Sequence, residues 1–227
     1  MPAPAPAPER RLYQVTADRL RHYIRQHAIE PGARLPPERD LAQQLGVSRP
    51  SLREALIALE IEGSVEVRMG SGIYVCERLL VARPANLGES PSELMKARAV
   101  IEGECIVLAC LHATKADLKY LRNCIDAMRA GVEQGIPALD DDRKFHYRLA
   151  RMSGNSTLAR IVGTLFDERY SPLLAHISEH SENRGTWAEA VQEHELILQA
   201  LEQRDPIAAQ TAMRRHIQLA EGRWLDS

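Results

Sequence analysis

The sequence predicts a mainly α protein in two parts: an N-terminal winged helix-turn-helix and a C-terminal all-α antiparallel helical bundle. Three observations predict it. Apolar residues recur at three- and four-residue steps through residues 12–61. The stretch "SVEVRMGSGIYV" then alternates valines with polar residues around Gly70 and Gly72, a β-hairpin signature that has no second example in the chain. From residue 91 onward only helical patterns follow, with prolines or capping residues marking several of their starts.

Taken in order, the alternating Pro-Ala run over residues 1–10 cannot pack and is read as a disordered tail. Leu12, Val15, Leu20, Tyr23 and Ile24 form one face of a first helix that "EPGARLPPERD" breaks. A second helix begins with Pro37 in its first turn, gains from Glu38 and Asp40 at its positive end, and stops at Gly46. The third has Ser48 as N-cap, Pro50 in its first turn, and Leu52, Leu56 and Leu59 as its apolar stripe. Three helices, a short turn between the second and third, and a glycine-tipped hairpin make a winged helix-turn-helix over 11–77. Residues 78–90 lose periodicity and are read as a linker. Ser90-Pro91-Ser92-Glu93 opens the second domain, 91–224, with helices expected at 91–112, 115–133, 138–153, 156–177, 186–203 and 206–222.

The 227 residues, 44% of them hydrophobic, suffice for two cores. No run approaches the ~20 apolar residues of a membrane span, and the N-terminus lacks the order of a signal peptide, so a cytoplasmic protein with no membrane partner is expected. Cys76, Cys105, Cys110 and Cys124 show no CxxC spacing, which excludes a thiolate metal site and points to buried free thiols. A net charge of −2 excludes a uniformly basic nucleic-acid coat. Charge placement carries more: residues 1–78 hold eleven arginines, no lysine and ten acidic residues, and arginine is the cation that forks onto phosphates and guanine edges.

A helix-turn-helix reads DNA with the first residues of its third helix while neighbouring groups hold phosphates. Arg39, Arg49, Ser51 and Arg53 are the right chemical types there, and Arg68 beside Gly70 lets the wing reach the backbone or minor groove. Here the sequence resembles the GntR family of bacterial transcription regulators, over "PGARLPPERDLAQQLGVSRPSLREALIALEIEGSVEVRMGSGIYV" almost without a gap. The resemblance implies that Arg39, Arg49 and Arg53 are DNA contacts, Ser51 a polar contact and Gly70 the wing tip. Ser64 departs from the family's leucine, which loosens an apolar contact at the base of the wing.

A second constellation lies among the eight histidines. Asp142 and His146 are four apart, which stacks them on one helical face about 6 Å apart at Cβ. His194 lies ten residues before Arg204 and His216 ten after Pro206, so two helices folded back about "RDP" would bring both rings level, roughly 15 Å from the turn. Three imidazoles and a carboxylate inside a bundle suit a divalent ion, zinc first, with nickel or manganese as alternatives. A plain i,i+4 acid–imidazole pair is the alternative for Asp142 and His146.

This half, on "ELMKARAVIEGE", "DDDRKFHYRLARMSGNSTL", "EHELILQALEQRDPIAA" and "AMRRHI", resembles the FCD ligand-binding domain of the FadR branch of that family. The resemblance implies that Asp142, His146, His194 and His216 hold the ion and that a small organic acid binds over it. It also implies that Arg98 and Asn155, and more remotely Arg148 and Arg169, face that effector. "TLFDERYSPL" is similar to regulators of uronate and aldonate catabolism, which implies a sugar acid. The expected protein is a homodimeric repressor on a roughly palindromic operator. Two alternatives stand beside it: a regulator for which the ion itself is the signal, and a zinc hydrolase with Glu193 or Glu195 as base.

Overall fold

The computed structural model describes residues 10–68, 70–80 and 87–225. The described residues form ten α-helices and one two-stranded antiparallel hairpin. The chain divides into two compact units, Met1–Ser92 and Glu93–Ser227. Among the described residues no helix is long and apolar enough to cross a membrane. The Pro-Ala run expected to be disordered falls, apart from Arg10, outside the described residues.

The first unit packs α1 (Leu12–Gln26), α2 (Glu38–Leu45) and α3 (Arg49–Ile61) around a core built on Leu20, Ile24, Leu41, Leu52, Leu56 and Leu59. Gly46 ends α2 in the left-handed region at φ 64°, which glycine adopts without a Cβ penalty and which turns the chain into α3. Pro37 sits at the N-cap of α2, one residue before the expected first turn. Ser48 caps α3, accepting from the backbone N–H of Ser51 at 3.2 Å. The wing pairs β1 (Val65–Arg68) with β2 (Gly72–Val75) in the register Val65 to Val75 and Val67 to Ile73. Its inner side chains Val65, Ile73 and Val75 join the helical core.

Ser64, at the base of the wing, is fully buried and its hydroxyl has no hydrogen-bond partner among the described residues. An unsatisfied buried hydroxyl costs roughly 1–3 kcal/mol. Ser64→Ala is therefore expected to stabilise the protein by about 1 kcal/mol, read as a raised urea midpoint followed by circular dichroism. An unchanged or lowered midpoint would contradict it.

The segment expected to link the domains starts as a 3-10 turn, Glu77–Leu80, and residues 81–86 lie outside the described residues. Leu87 to Ser92 are held to the first unit by bonds no local pattern specifies. The backbone N–H of Leu87 donates to the Tyr13 hydroxyl at 3.0 Å. The buried Glu54 carboxylate on α3 accepts from the Ser90 hydroxyl at 2.7 Å, the Ser92 hydroxyl at 2.6 Å and the Ser92 N–H at 2.9 Å.

Helix α4 (Pro91–His112) begins at the end of the first unit and runs on from Glu93 in the second, which also contains α5 (Lys115–Gln134), α6 (Leu139–Met152), α7 (Ser156–Asp167), α8 (Pro172–Ser181), α9 (Arg184–Glu202) and α10 (Pro206–Leu225). Thr114 and Asp117 form the capping box that starts α5. The single helix expected over 156–177 is two. After α7 the chain tightens into a 3-10 turn, Glu168–Tyr170, and Ser171 is extended at ψ 151° before Pro172 opens α8. Proline lacks the N–H that a continuous helix needs and disfavours helical backbone in the residue before it. α9 and α10 fold back on each other and pack along their length. Arg204 makes the reversal at φ 55°, and Asp205 accepts from the N–H groups of Ile207 and Ala208 at 3.0 and 2.9 Å to start α10.

Candidate functional site

Asp142 and His146 come one turn apart from α6, His194 from α9 and His216 from α10. The four are 4%, 1%, 0% and 5% exposed, and one ligand atom from each lies within 4.8 Å of the others. Asp142 Oδ1 is 3.0 Å from His194 Nε2 and 3.6 Å from His146 Nε2, and these two nitrogens are 3.3 Å apart. The rings of His194 and His216, expected to be level, have centroids 4.4 Å apart.

The outer nitrogens decide what the inner ones can do. His194 Nδ1 donates to the Ala190 carbonyl at 2.6 Å, His216 Nδ1 to Glu193 at 2.7 Å, and His146 Nδ1 to Glu102 of α4. With each Nδ1 carrying its proton outward, each Nε2 offers a lone pair inward. Lone pairs and a carboxylate facing one another in a dry interior repel unless a cation lies between them. The donor set, three nitrogens and one oxygen with outer-sphere partners on all three rings, fits a borderline divalent ion.

The electrostatics support this at Asp142 and His216, while His146 is the ring at which a proton competes with the ion. Burial alone raises the Asp142 carboxyl, but its bonds to His146 and His194 outweigh this and hold it well below the usual range. Burial, followed by the neighbouring His194, pushes His216 down to about 3, so it is neutral and able to ligate at any ordinary pH. Burial opposes a charge on His146, yet Glu102 and Asp142 together raise it above its ordinary value. Burial likewise opposes ionisation of Glu102, and Arg98 and His146 bring it down to about 2.

Beside the cluster is a cavity of about 40 Å³ bordered by Asp142, His216, Arg98, Arg169 and Arg223, room for a few water molecules. Arg98 is buried over the Phe166 ring and donates to Glu102 at 2.6 Å; its Nη2 has no hydrogen-bond partner among the described residues. Arg169 pairs with Glu182 and lies 3.7 Å from Asp142, and its buried Nε is also unpartnered among the described residues. A chamber of about 510 Å³ adjoins, sharing Arg169, Glu182 and Trp187 with the small cavity. Asn155 is not brought here. It is exposed at the start of α7, where its Oδ1 accepts from the N–H groups of Thr157 and Leu158. Arg148 is turned to Asp117 at 2.5 Å, and Glu195 to Arg122 and Arg129. Glu193, the other base of the hydrolase reading, is committed to His216 and Arg223.

On the first unit, Arg39 and Arg49 are exposed and form no ion pair among the described residues, while Arg53 lies 3.3 Å from Glu38. Arg68 pairs with Glu66 at 2.8 Å and covers the Tyr74 ring, beside the exposed Gly70 at φ +69°. Ser51 differs from expectation: it is only 7% exposed, and its hydroxyl is shared with that of Ser48 at 2.7 Å. It serves the start of α3 rather than an outward contact. No local sequence pattern marks Glu102 or Glu193 as partners of the histidines, because each meets its histidine only through helix packing.

A winged helix joined to a helical unit with a buried ligand cluster defines a ligand-responsive DNA-binding regulator. The chain belongs to the GntR family: residues 12–75 match the model described as "Bacterial regulatory proteins, gntR family" and residues 93–219 match the FCD domain, the architecture of the FadR-like branch. It is 37% identical over 218 residues to the Exu regulon transcriptional regulator of Escherichia coli K12, covering 92% of this chain and 83% of the relative. It is 33% identical to the Uxu operon transcriptional regulator of the same organism, covering 95% and 88%. The solved structure of a Streptococcus agalactiae GntR protein matches with a TM-score of 0.50 and 28% identity over 92% of this chain and 98% of that one. The chain is accordingly a DNA-binding transcriptional regulator with an FCD effector domain, and not an enzyme.

Proposed function

We propose that the protein is a cytoplasmic homodimeric repressor whose hold on a pseudo-palindromic operator is set by a small organic acid bound to a metal ion. Asp142, His146, His194 and His216 hold the ion, zinc first and nickel or manganese as alternatives. The observation that carries this reading is the outward commitment of all three Nδ1 atoms, which leaves three imidazole lone pairs and one carboxylate converging. The depth of the cluster favours a retained ion over one that comes and goes as the signal. When bound, the ion supplies a Lewis-acidic anchor for a carboxylate.

Arg98 and Arg169, each with a buried N–H to spare, orient the acid. The small cavity admits a carboxylate but not a whole sugar acid; the rest extends toward the larger chamber past the Arg169–Glu182 pair, and ligand pockets of this volume are ordinary. A sugar acid is the proposed class, from the likeness of "TLFDERYSPL". Arg39, Arg49 and Arg53 read the operator, with Arg68 and Gly70 on the wing. The effector acts only by binding the DNA-competent and incompetent arrangements unequally.

The test is a thermal-shift screen of metal-replete and chelator-stripped protein against sugar acids, hydroxy acids and dicarboxylates. A ligand at 100 times its dissociation constant adds about 2.7 kcal/mol of apparent stability. A shift confined to one class and abolished by stripping is expected. A shift that survives stripping would show that the acid does not bind through the metal.

A further inference from the structure

Outside the buried cluster, α8 carries a second set of ligand atoms. His176, Glu179 and His180 stand at i, i+3 and i+4 on its outward face, because Leu173, Leu174, Ile177 and Ser181 take the inward one. One ligand atom from each lies within 4.8 Å of the other two, and the two imidazole centroids are 4.6 Å apart. His180 Nδ1 donates to the His176 carbonyl at 2.8 Å. That is the support His194 receives from Ala190 in the buried cluster, and it leaves Nε2 of His180 as the nitrogen available to a ligand.

We propose that His176, Glu179 and His180 form a second, surface metal site for a borderline divalent ion such as zinc, nickel or copper. Two imidazoles one helical turn apart are the spacing by which a single helix holds zinc in metallopeptidases, and Glu179 adds a carboxylate from the same face. The nitrogen content selects against calcium and magnesium, which take oxygen ligands. Position helps as well: His180 lies in the last turn of α8, where the helix dipole and unsatisfied carbonyls favour a cation. Three protein ligands on a partly exposed helix face, with Glu179 also lining the larger chamber, leave at least one coordination position to water or an outside donor. Side chains that must be immobilised from solvent bind more weakly than preset buried ones, so this site fills after the buried one. α8 leads directly into Ser181 and Glu182, which border the cavity beside the buried cluster; an ion on its last turn stiffens that wall.

Equilibrium dialysis of the full-length protein, carrying whatever metal it retains on purification, against rising free zinc tests this directly. One additional equivalent per chain is expected. In His176→Ala/His180→Ala that equivalent is lost while the retained metal is unchanged, and in Glu179→Gln the isotherm shifts to higher zinc. The substituted side chains lie outside the core, and an unaltered circular-dichroism melt checks the fold. Proton–carbon spectra with nickel locate the ion independently, with ring signals of His176 and His180 broadening before those of the exposed His22, His27 and His112. An isotherm unchanged in the double variant, or no additional equivalent at millimolar free zinc, would overturn the proposal. Neither outcome depends on the buried cluster, whose loss is read separately as absence of retained metal.

Discussion

His194→Ala protein is expected to purify without stoichiometric metal and to melt below chelator-stripped wild type. His194 is the hub of the cluster: its Nε2 is 3.0 Å from Asp142 and 3.3 Å from His146 Nε2, and its ring packs edge-on against Phe145 at 4.7 Å. Truncation removes one of four ligands, leaves Asp142 buried with one imidazole partner fewer, and opens a cavity beside a zero-exposure position. Emptying a fully buried ring site costs about 3–5 kcal/mol, and the linkage contribution of a tightly bound ion is lost as well. The informative feature is the pattern. Chelator lowers the wild-type melting temperature and leaves that of the variant where it was. If chelator moves neither protein and no metal co-purifies with wild type, the cluster is a buried polar network and not a metal centre.

A graded result is expected one layer out. Glu102 sets the His146 ring and also receives Arg98. Glu102→Gln keeps the shape and an acceptor oxygen but removes the charge, so metal affinity falls by about 10–100-fold rather than vanishing. Mass spectrometry of metal content after dialysis against a graded chelator series separates the two variants. Equal losses would mean that ligands and outer partners cannot be distinguished and that both variants act by unfolding the bundle.

The sequence disclosed those parts of the centre that depend on spacing within one or two adjacent elements. Asp142 and His146 share a helical face because they are four apart, and His194 and His216 are level because each stands ten residues from the same short turn. Glu102 was illegible for a physical reason: it meets His146 across 44 positions of sequence, and no periodicity reports which face of α4 meets which face of α6. Asn155 and Ser51 lie away from the positions expected of them, in roles at helix N-termini. Likeness to a family alone makes Asn155 an effector contact and adds to the positional reason for Ser51, while Asn before Ser156-Thr157 and Ser three after Ser48 are also capping patterns. The break between α7 and α8 is legible in Pro172, which cannot continue a helix and disfavours helical backbone at Ser171. The spacing of "HISEH" was equally visible, but a histidine pair on an exposed helix face acquires meaning only once its inward neighbours are known.

Arg49→Ala is expected to weaken operator binding by about 1–3 kcal/mol, about fivefold to 150-fold, with little change in folding stability. Arg49 is the first residue of α3, the element that enters the major groove in a helix-turn-helix, and it is exposed with no ion pair among the described residues. Its removal therefore disturbs nothing in the free protein, and surface changes of this kind stay within about 0.5 kcal/mol. Arg53 differs, because Glu38 already holds its guanidinium at 3.3 Å. An arginine preset in this way gives up less freedom on binding, but it must also exchange or share its carboxylate partner with DNA. Arg53→Ala and Glu38→Gln together separate the two effects: the first weakens binding, and the second leaves the contact while removing a charge that opposes phosphate. Salt dependence then sorts the contacts. If Arg49 sits on a phosphate, the variant loses affinity for every sequence and the slope of log affinity against log salt falls by about 1. If it reads a base edge, discrimination at one operator position relaxes. An Arg49→Ala protein that footprints its operator as wild type does, at matched salt, would remove Arg49 from the reading head and leave the contact of α3 to Arg53.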